Sequence, residues 1–317
     1  MLRAHRLGLA CVNWYGAHMA QMVMNGLNRR NVSEMAASLV ELGFNCARLP
    51  YSLEMLLATA AVPDPKDNLR ANPDLQGATP LDVFDAVVEE LTRRGVMVIL
   101  NNHISAAGWC CTLVDGEGLW HTSAYNESRW LDGIGVMAKR YRDNPMVVGF
   151  DLRNELRPST LGTPTWGFGG GAVDWAGAAV RGAERVLQED NDLLIIVSGL
   201  FFSSFLCDVP NKPIHLEPPM INRTVYTAHE YSFINFHISC RMAIGYFFAT
   251  LAVWMLLLWF VLLLSCCLES QGLVGKACMS ECLARAVRCG RRQPPPRPAC
   301  CGRCVPAGCC CKSCCPQ

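Results

Sequence analysis

Short apolar runs recur along the first three quarters of the chain, and between them apolar positions fall three and four residues apart. The runs at residues 7–12, 44–50, 96–100, 146–152, 193–197 and 224–228 are bounded by Gly, Pro or Asn and rich in branched residues, as strands buried on both faces are. Between them the period becomes helical. Asn31 and Glu34 form a capping box, Val32, Met35, Leu39 and Leu42 mark one apolar face, and Gly43 ends that helix. Thr79-Pro80 opens a second helix, which buries Phe84, Val87, Val88 and Leu91 and stops at Gly95. Two more helices are predicted at 128–142 and 174–188. Residues 63–79, with their prolines, Asn72 and Gly77, read as a long surface loop. Trp109, Cys110, Cys111 and Trp120 read as an aromatic cluster in a connection rather than a core, and Trp166 and Phe168 belong to a Gly- and Trp-rich loop.

Strand and helix alternate throughout, which predicts parallel βα units. No Gly-rich phosphate turn follows the first strand, so the pattern favours a (β/α)8 barrel of TIM-barrel type over a doubly wound sheet. Six units are visible. The reading therefore divides the chain into a partial barrel over 1–235, an apolar helix over 242–264 and an irregular tail over 265–317, with the first and sixth strands as unpaired edges.

Residues 242–264 carry no charge and are rich in Leu, Phe and Trp, enough for a helix of roughly 30 Å that spans a bilayer. The Arg- and Lys-rich sequence after it places the tail in the cytosol and the barrel outside. Thirteen of the 19 cysteines follow Ser265. The pairs Cys301/Cys304 and Cys311/Cys314 have zinc-thiolate spacing and Cys266/Cys267 the setting for acylation, but a segment so dense in cysteine produces such spacings by default. The tail has no hydrophobic period and is read as disordered, or as translated sequence with no structural role. No metal is assigned.

Composition narrows the function classes. A net charge of +1 excludes an electrostatic case for nucleic acid, and 51% hydrophobic residues supply a sizeable core. No signal peptide opens the chain, because residues 1–6 run straight into the first strand; the native N-terminus is read as missing. Sequons at Asn31, Asn126 and Asn222 suit the secretory pathway, so the expected location is a membrane or the extracellular space.

The candidate chemistry lies where apolar runs break into polar residues. At the C-terminal mouth of a parallel barrel such breaks meet ligand. They are Asn13-Trp14, Arg48, His103, Asn154-Glu155, His229 and Tyr231. The strongest is the run at 146–152 that ends in Asn154-Glu155, where a partly desolvated carboxyl can hold a proton near neutral pH; the plainer alternative is a glutamate at a helix N-terminus. Acid, amide and aromatic residues suit glycoside cleavage with a carbohydrate partner and no cofactor.

In Val12-Asn13-Trp14-Tyr15-Gly16, Asn45-Cys46-Ala47-Arg48-Leu49-Pro50, Asn101-Asn102-His103, Leu152-Arg153-Asn154-Glu155 and Tyr226-Thr227-Ala228-His229-Glu230-Tyr231 the sequence resembles glycoside hydrolase family 5, the cellulase family, over about 7–235. The resemblance implies a retaining β-glycosidase, endoglucanase-like. Glu155 would match the family's acid/base and Asn154 its 2-hydroxyl ligand, with Arg48 and His103 flanking the site, His229 and Tyr231 near the nucleophile and Trp14 supporting.

The family's nucleophile, a glutamate ending strand seven, finds no match: after Tyr231 the only carboxylates are Glu269 and Glu281, and alternation turns Glu230 away from the face of His229 and Tyr231. Two readings remain: a hydrolase chain, inactive as written for want of its nucleophile, and a non-catalytic, membrane-anchored glycan-binding protein derived from such a barrel.

Overall fold

The computed structural model describes residues 8–168, 171–217, 220 and 222–230. The chain divides into units at 1–236 and 237–317, and the described residues all belong to the first. The readings at Tyr231, the apolar segment 242–264 and the tail 265–317 lie outside the described residues. Among the described residues no helix is long and apolar enough to cross a membrane.

All six predicted strands form, in one parallel sheet whose order follows the chain: β1 (Cys11–Asn13), β2 (Cys46–Ser52), β3 (Met97–Ile104), β4 (Val147–Asp151), β5 (Leu194–Ser198) and β6 (Thr224–Thr227). Sequential order without reversal is that of a (β/α) barrel; a doubly wound sheet would reverse at a switch point. Among the described residues β1 pairs only with β2 and β6 only with β5. A disulfide joins Cys11 to Cys46 at directly paired positions of β1 and β2.

The helices follow their predicted faces except at Leu42, which caps the end of the first helix and is 73% exposed. Helix α1 (Val32–Glu41) begins at the Asn31/Glu34 capping box; α2 (Leu53–Leu57) is capped by the Ser52 hydroxyl; α4 (Pro80–Arg93) turns Val83, Phe84, Val87, Val88 and Leu91 into the core. Helices α5 (Glu127–Tyr141) and α6 (Trp175–Glu189) bury Trp130 and Trp175, whose indole N–H groups donate to the backbone carbonyls of Leu152 and Ser198. Of the sequons, Asn31 and Asn126 serve as helix caps, accepting from the N–H groups of Glu34 and Arg129.

Two expectations are corrected. Residues 63–79 are more than surface loop: α3 (Pro65–Asn68) lies within them, Leu69 is fully buried, and buried Asn72 bonds Val32 N, Leu27 O and Arg30 O, tying the segment to the start of α1. Trp120 is a core residue, 0% exposed, because its indole N–H reaches the Glu127 carboxylate; Trp166 stays in its predicted loop yet is 2% exposed, its N–H on Lys212 O. Asn101, Asn102 and His103 end β3 as the sequence predicts, all buried, with His103 Nδ1 on Asn101 Oδ1 and Arg153 donating to Asn102 Oδ1.

Candidate active site

Glu155 ends the segment after β4 with a backbone φ of 45°, in the left-handed region that costs a non-glycine residue energy and persists where the surroundings impose it. The surroundings are an arginine and a turn. The Arg157 guanidinium donates to Glu155 O at 2.8 Å, and the N–H of Phe202 donates to Leu156 O at 2.9 Å. Phe202 lies in the turn Leu200–Ser203 after β5, where Phe201, Phe202 and Ser203 all have positive φ. The same turn accepts His229 N at Ser203 O, 2.9 Å, and so holds both sides of the next contact. His229 Nδ1 stands 2.9 Å from Glu155 Oε1, joining the end of β6 to the end of β4; Glu155 is only 8% exposed.

Beside this pair Arg48 gathers three side chains. Its Nε and Nη2 donate to Asp151 Oδ2 at 2.9 and 2.8 Å, Nη2 also to Asn154 Oδ1 at 2.9 Å, and Nη1 to Asn13 Oδ1 at 3.1 Å. Asp151 is buried, and burial pushes its carboxyl above the usual range even though Arg48 draws it down. His103 Nδ1 faces Asn101 Oδ1 at 2.7 Å; an amide oxygen there requires Nδ1 to carry the proton, leaving Nε2 bare. Burial, with His18 and Arg48 nearby, holds His103 well below the ordinary histidine value. The His18 ring packs 4.2 Å from that of His103 and is lowered to about 4 by burial and Arg48, so both imidazoles are neutral near pH 7.

The segment 105–117 is clasped to residues on either side of Asn154-Glu155. Arg153, fully buried, donates to Glu117 Oε2 at 2.7 Å and to Glu117 O, and Glu117 in turn accepts the N–H groups of Ser105 and Ala106. Arg157 donates through Nη2 to both oxygens of Asp115 and through Nε to Thr112 O. Burial raises both carboxyls, but the N–H donors and arginines outweigh it and hold them below their usual values. The clasped loop carries the Cys110–Cys111 disulfide, whose sulfurs lie 3.8 and 3.4 Å from Asn154 Nδ2. His103, Cys110 and Cys111 are close enough to hold a metal ion, yet the disulfide occupies both sulfurs, leaving one histidine as donor.

Of the predicted residues, Arg48 is thus bonded to Asn154 and Glu155 to His229, and His103 lies within electrostatic reach of Arg48 and His229. Trp14 is buried, 6% exposed, with its indole N–H on Asn25 O; its neighbour Tyr15 is 43% exposed and packs edge-on to His103. Asn13 was marked in sequence, whereas Asp151, His18, Asp115, Glu117, Arg153 and Arg157 were not. The one available signal was that Asp151, Arg153 and Arg157 interrupt an apolar stretch with charge.

The model of one protein family, the cellulases of glycosyl hydrolase family 5, matches residues 10–252. An endoglucanase from Paenibacillus polymyxa is 34% identical over 232 residues, 69% of this chain and 55% of that one. The major extracellular endoglucanase of Xanthomonas campestris pv. campestris is 38% identical over 189 residues, 60% of this chain and 37% of that one. The solved catalytic domain of the major endoglucanase from that organism superposes with a TM-score of 0.64 and 33% identity, covering 73% of this chain and 66% of its own. An endocellulase from Pyrococcus horikoshii, solved in complex with cellotetraose, gives a TM-score of 0.63 and 28% identity over 71% of this chain and 63% of its own. The chain spans 55% or less of the length of the curated relatives it matches.

Proposed function

This chain belongs to glycosyl hydrolase family 5, the cellulase family, and we propose that its site acts on β-glucan as an endoglucanase does, with Glu155 as general acid and base. The observation that carries the assignment is the buried Glu155 carboxyl, held at a strained backbone position at the mouth of β4 and hydrogen-bonded across the sheet end to His229. In this reading Glu155 gives its proton to the glycosidic oxygen as the C–O bond breaks. His229 keeps the carboxyl turned toward that oxygen. Asn154 takes the sugar 2-hydroxyl, Arg48 fixes Asn154, and neutral His103 with Tyr15 borders the sugar. Cellotetraose in the Pyrococcus complex supports β-glucan as substrate class. The Cys11–Cys46 and Cys110–Cys111 disulfides, and the extracellular location in the Xanthomonas relative's name, support action in an oxidising, extracellular setting. No observation favours a membrane-anchored binding protein.

A retaining mechanism needs a second carboxylate about 5 to 5.5 Å from the first. Asp151, Asp115 and Glu117 are each engaged by an arginine. We therefore assign the described site proton transfer and substrate positioning, and the test supplies the nucleophile. With azide present, the full chain turns over both dinitrophenyl and phenyl β-cellobioside: azide bonds to the anomeric carbon, the aryl oxygen departs, and only phenoxide needs the proton of Glu155. Glu155→Gln is expected to slow the phenyl substrate by at least about a hundredfold and the dinitrophenyl substrate far less. Equal effects on both substrates, or no turnover of either by the parent, would overturn the assignment.

A further inference from the structure

We propose that Cys110 and Cys111 are positioning residues for Asn154, and, given the function above, for the sugar 2-hydroxyl that Asn154 would hold. An arginine only donates hydrogen bonds, so the 2.9 Å contact from Arg48 Nη2 fixes the Asn154 oxygen toward Arg48 and turns the amide N–H groups the other way. There they meet Cys111 Sγ at 3.4 Å and Cys110 Sγ at 3.8 Å. Joined as a disulfide, the sulfurs carry no proton and accept only, which matches two donating N–H groups. Sulfur is also a weak acceptor. It orients the amide without holding it as a carbonyl would, so an N–H can exchange sulfur for a sugar oxygen.

The sulfurs are registered to this task by their loop. The Glu117–Arg153 and Asp115–Arg157 pairs fasten the segment after Cys110-Cys111 to the residues on both sides of Asn154-Glu155, and the segment before it is held by Arg153 on the Ser105 hydroxyl and by the N–H groups of Ser105 and Ala106 on Glu117. The clasp therefore sets the distance between sulfur and amide, and both arginines are fully buried. Nearby, neutral His103 packs against His18 and Tyr15 and presents no charge to compete for the amide.

The experiment reads the Asn154 side-chain amide by nuclear magnetic resonance in the isotope-labelled full chain, its signals identified by their loss in Asn154→Asp. Cys110→Ala with Cys111→Ala removes the acceptors and is expected to shift both amide protons; Cys110→Ser with Cys111→Ser restores acceptors and most of the original position. Cellotetraose binding should weaken about tenfold in the alanine pair and recover in the serine pair, with no further loss when the alanine pair is added to Asn154→Ala. Should the alanine pair fail to fold, Cys111→Ala alone removes the shorter contact and gives the same readout. Amide signals that do not move, or an alanine-pair loss equally large without Asn154, overturn the proposal. If the parent binds no cellotetraose, the saccharide reading fails, and the amide signals still decide whether the sulfurs position Asn154.

Discussion

Arg48 and Asp151, on β2 and β4 and 103 residues apart, form an ion pair with Nη2 2.8 Å from Oδ2 at 14% and 2% side-chain exposure. A pair so buried is costly to desolvate, and removing one member leaves the other charge without compensation. The same Nη2 bonds Asn154, so the pair links sheet stability to the arrangement beside Glu155.

Arg48→Leu should therefore destabilise the fold by about 3 kcal/mol, while Arg48→Leu with Asp151→Leu recovers much of that loss. Urea denaturation of the parent, both single variants and the double variant closes the cycle. Additive losses would mean that the two residues do not act as a pair.

How far this arrangement is legible in the sequence depends on the range of the contacts involved. Strands and helices follow from local periods, so α1, α4 and all six strands were readable, as was the break at Asn154-Glu155. The pairs Arg48–Asp151, Arg153–Glu117 and Arg157–Asp115 span 103, 36 and 42 residues, and no local period marks them. Asp151 was counted into an apolar strand because only its partner on β2 makes a buried carboxylate tenable. Trp120 was misplaced for a related reason: it becomes core once its N–H reaches Glu127, a contact of tertiary structure.

Acid should weaken the fold first through histidine. His18 is lowered to about 4 in the folded state, so the unfolded chain, with an ordinary value near 6.5, takes up its proton first as pH falls. Stability from this group is complete above about pH 6.5 and declines as pH drops toward 4. His18→Gln should flatten the melting temperature against pH in that window. An unchanged slope would show that His18 is not held neutral.

A second acid step belongs to the clasp. Asp115 and Glu117 have depressed values, so their contribution is present above the ordinary carboxylate range and is lost as pH falls through their lower folded values. Cleavage by an acid-active protease within 105–117 should appear only below the ordinary carboxylate range, and Glu117→Gln should move its onset upward. Identical onset in parent and variant would contradict the clasp.

Gly16 has a φ of 131°, and a Cβ there would stand 2.3 Å from Val23 O and 2.4 Å from Asn25 N, both backbone atoms. Gly16→Ala should cost roughly 3 kcal/mol or more, from strain and overlap together. Thermal melting checks it, and a variant as stable as the parent would show that the turn beside Trp14 and Tyr15 is drawn too tightly.

The account rests on a saccharide site at Arg48, Asn154 and Glu155, and calorimetric titration of the full chain with cellotetraose tests it most directly. One saccharide should bind per chain, with Asn154→Ala weakening binding about tenfold or more and Glu155→Gln, which keeps the shape and a hydrogen bond to His229, changing it far less. Binding that ignores Asn154→Ala, or no binding by the parent, would contradict the site.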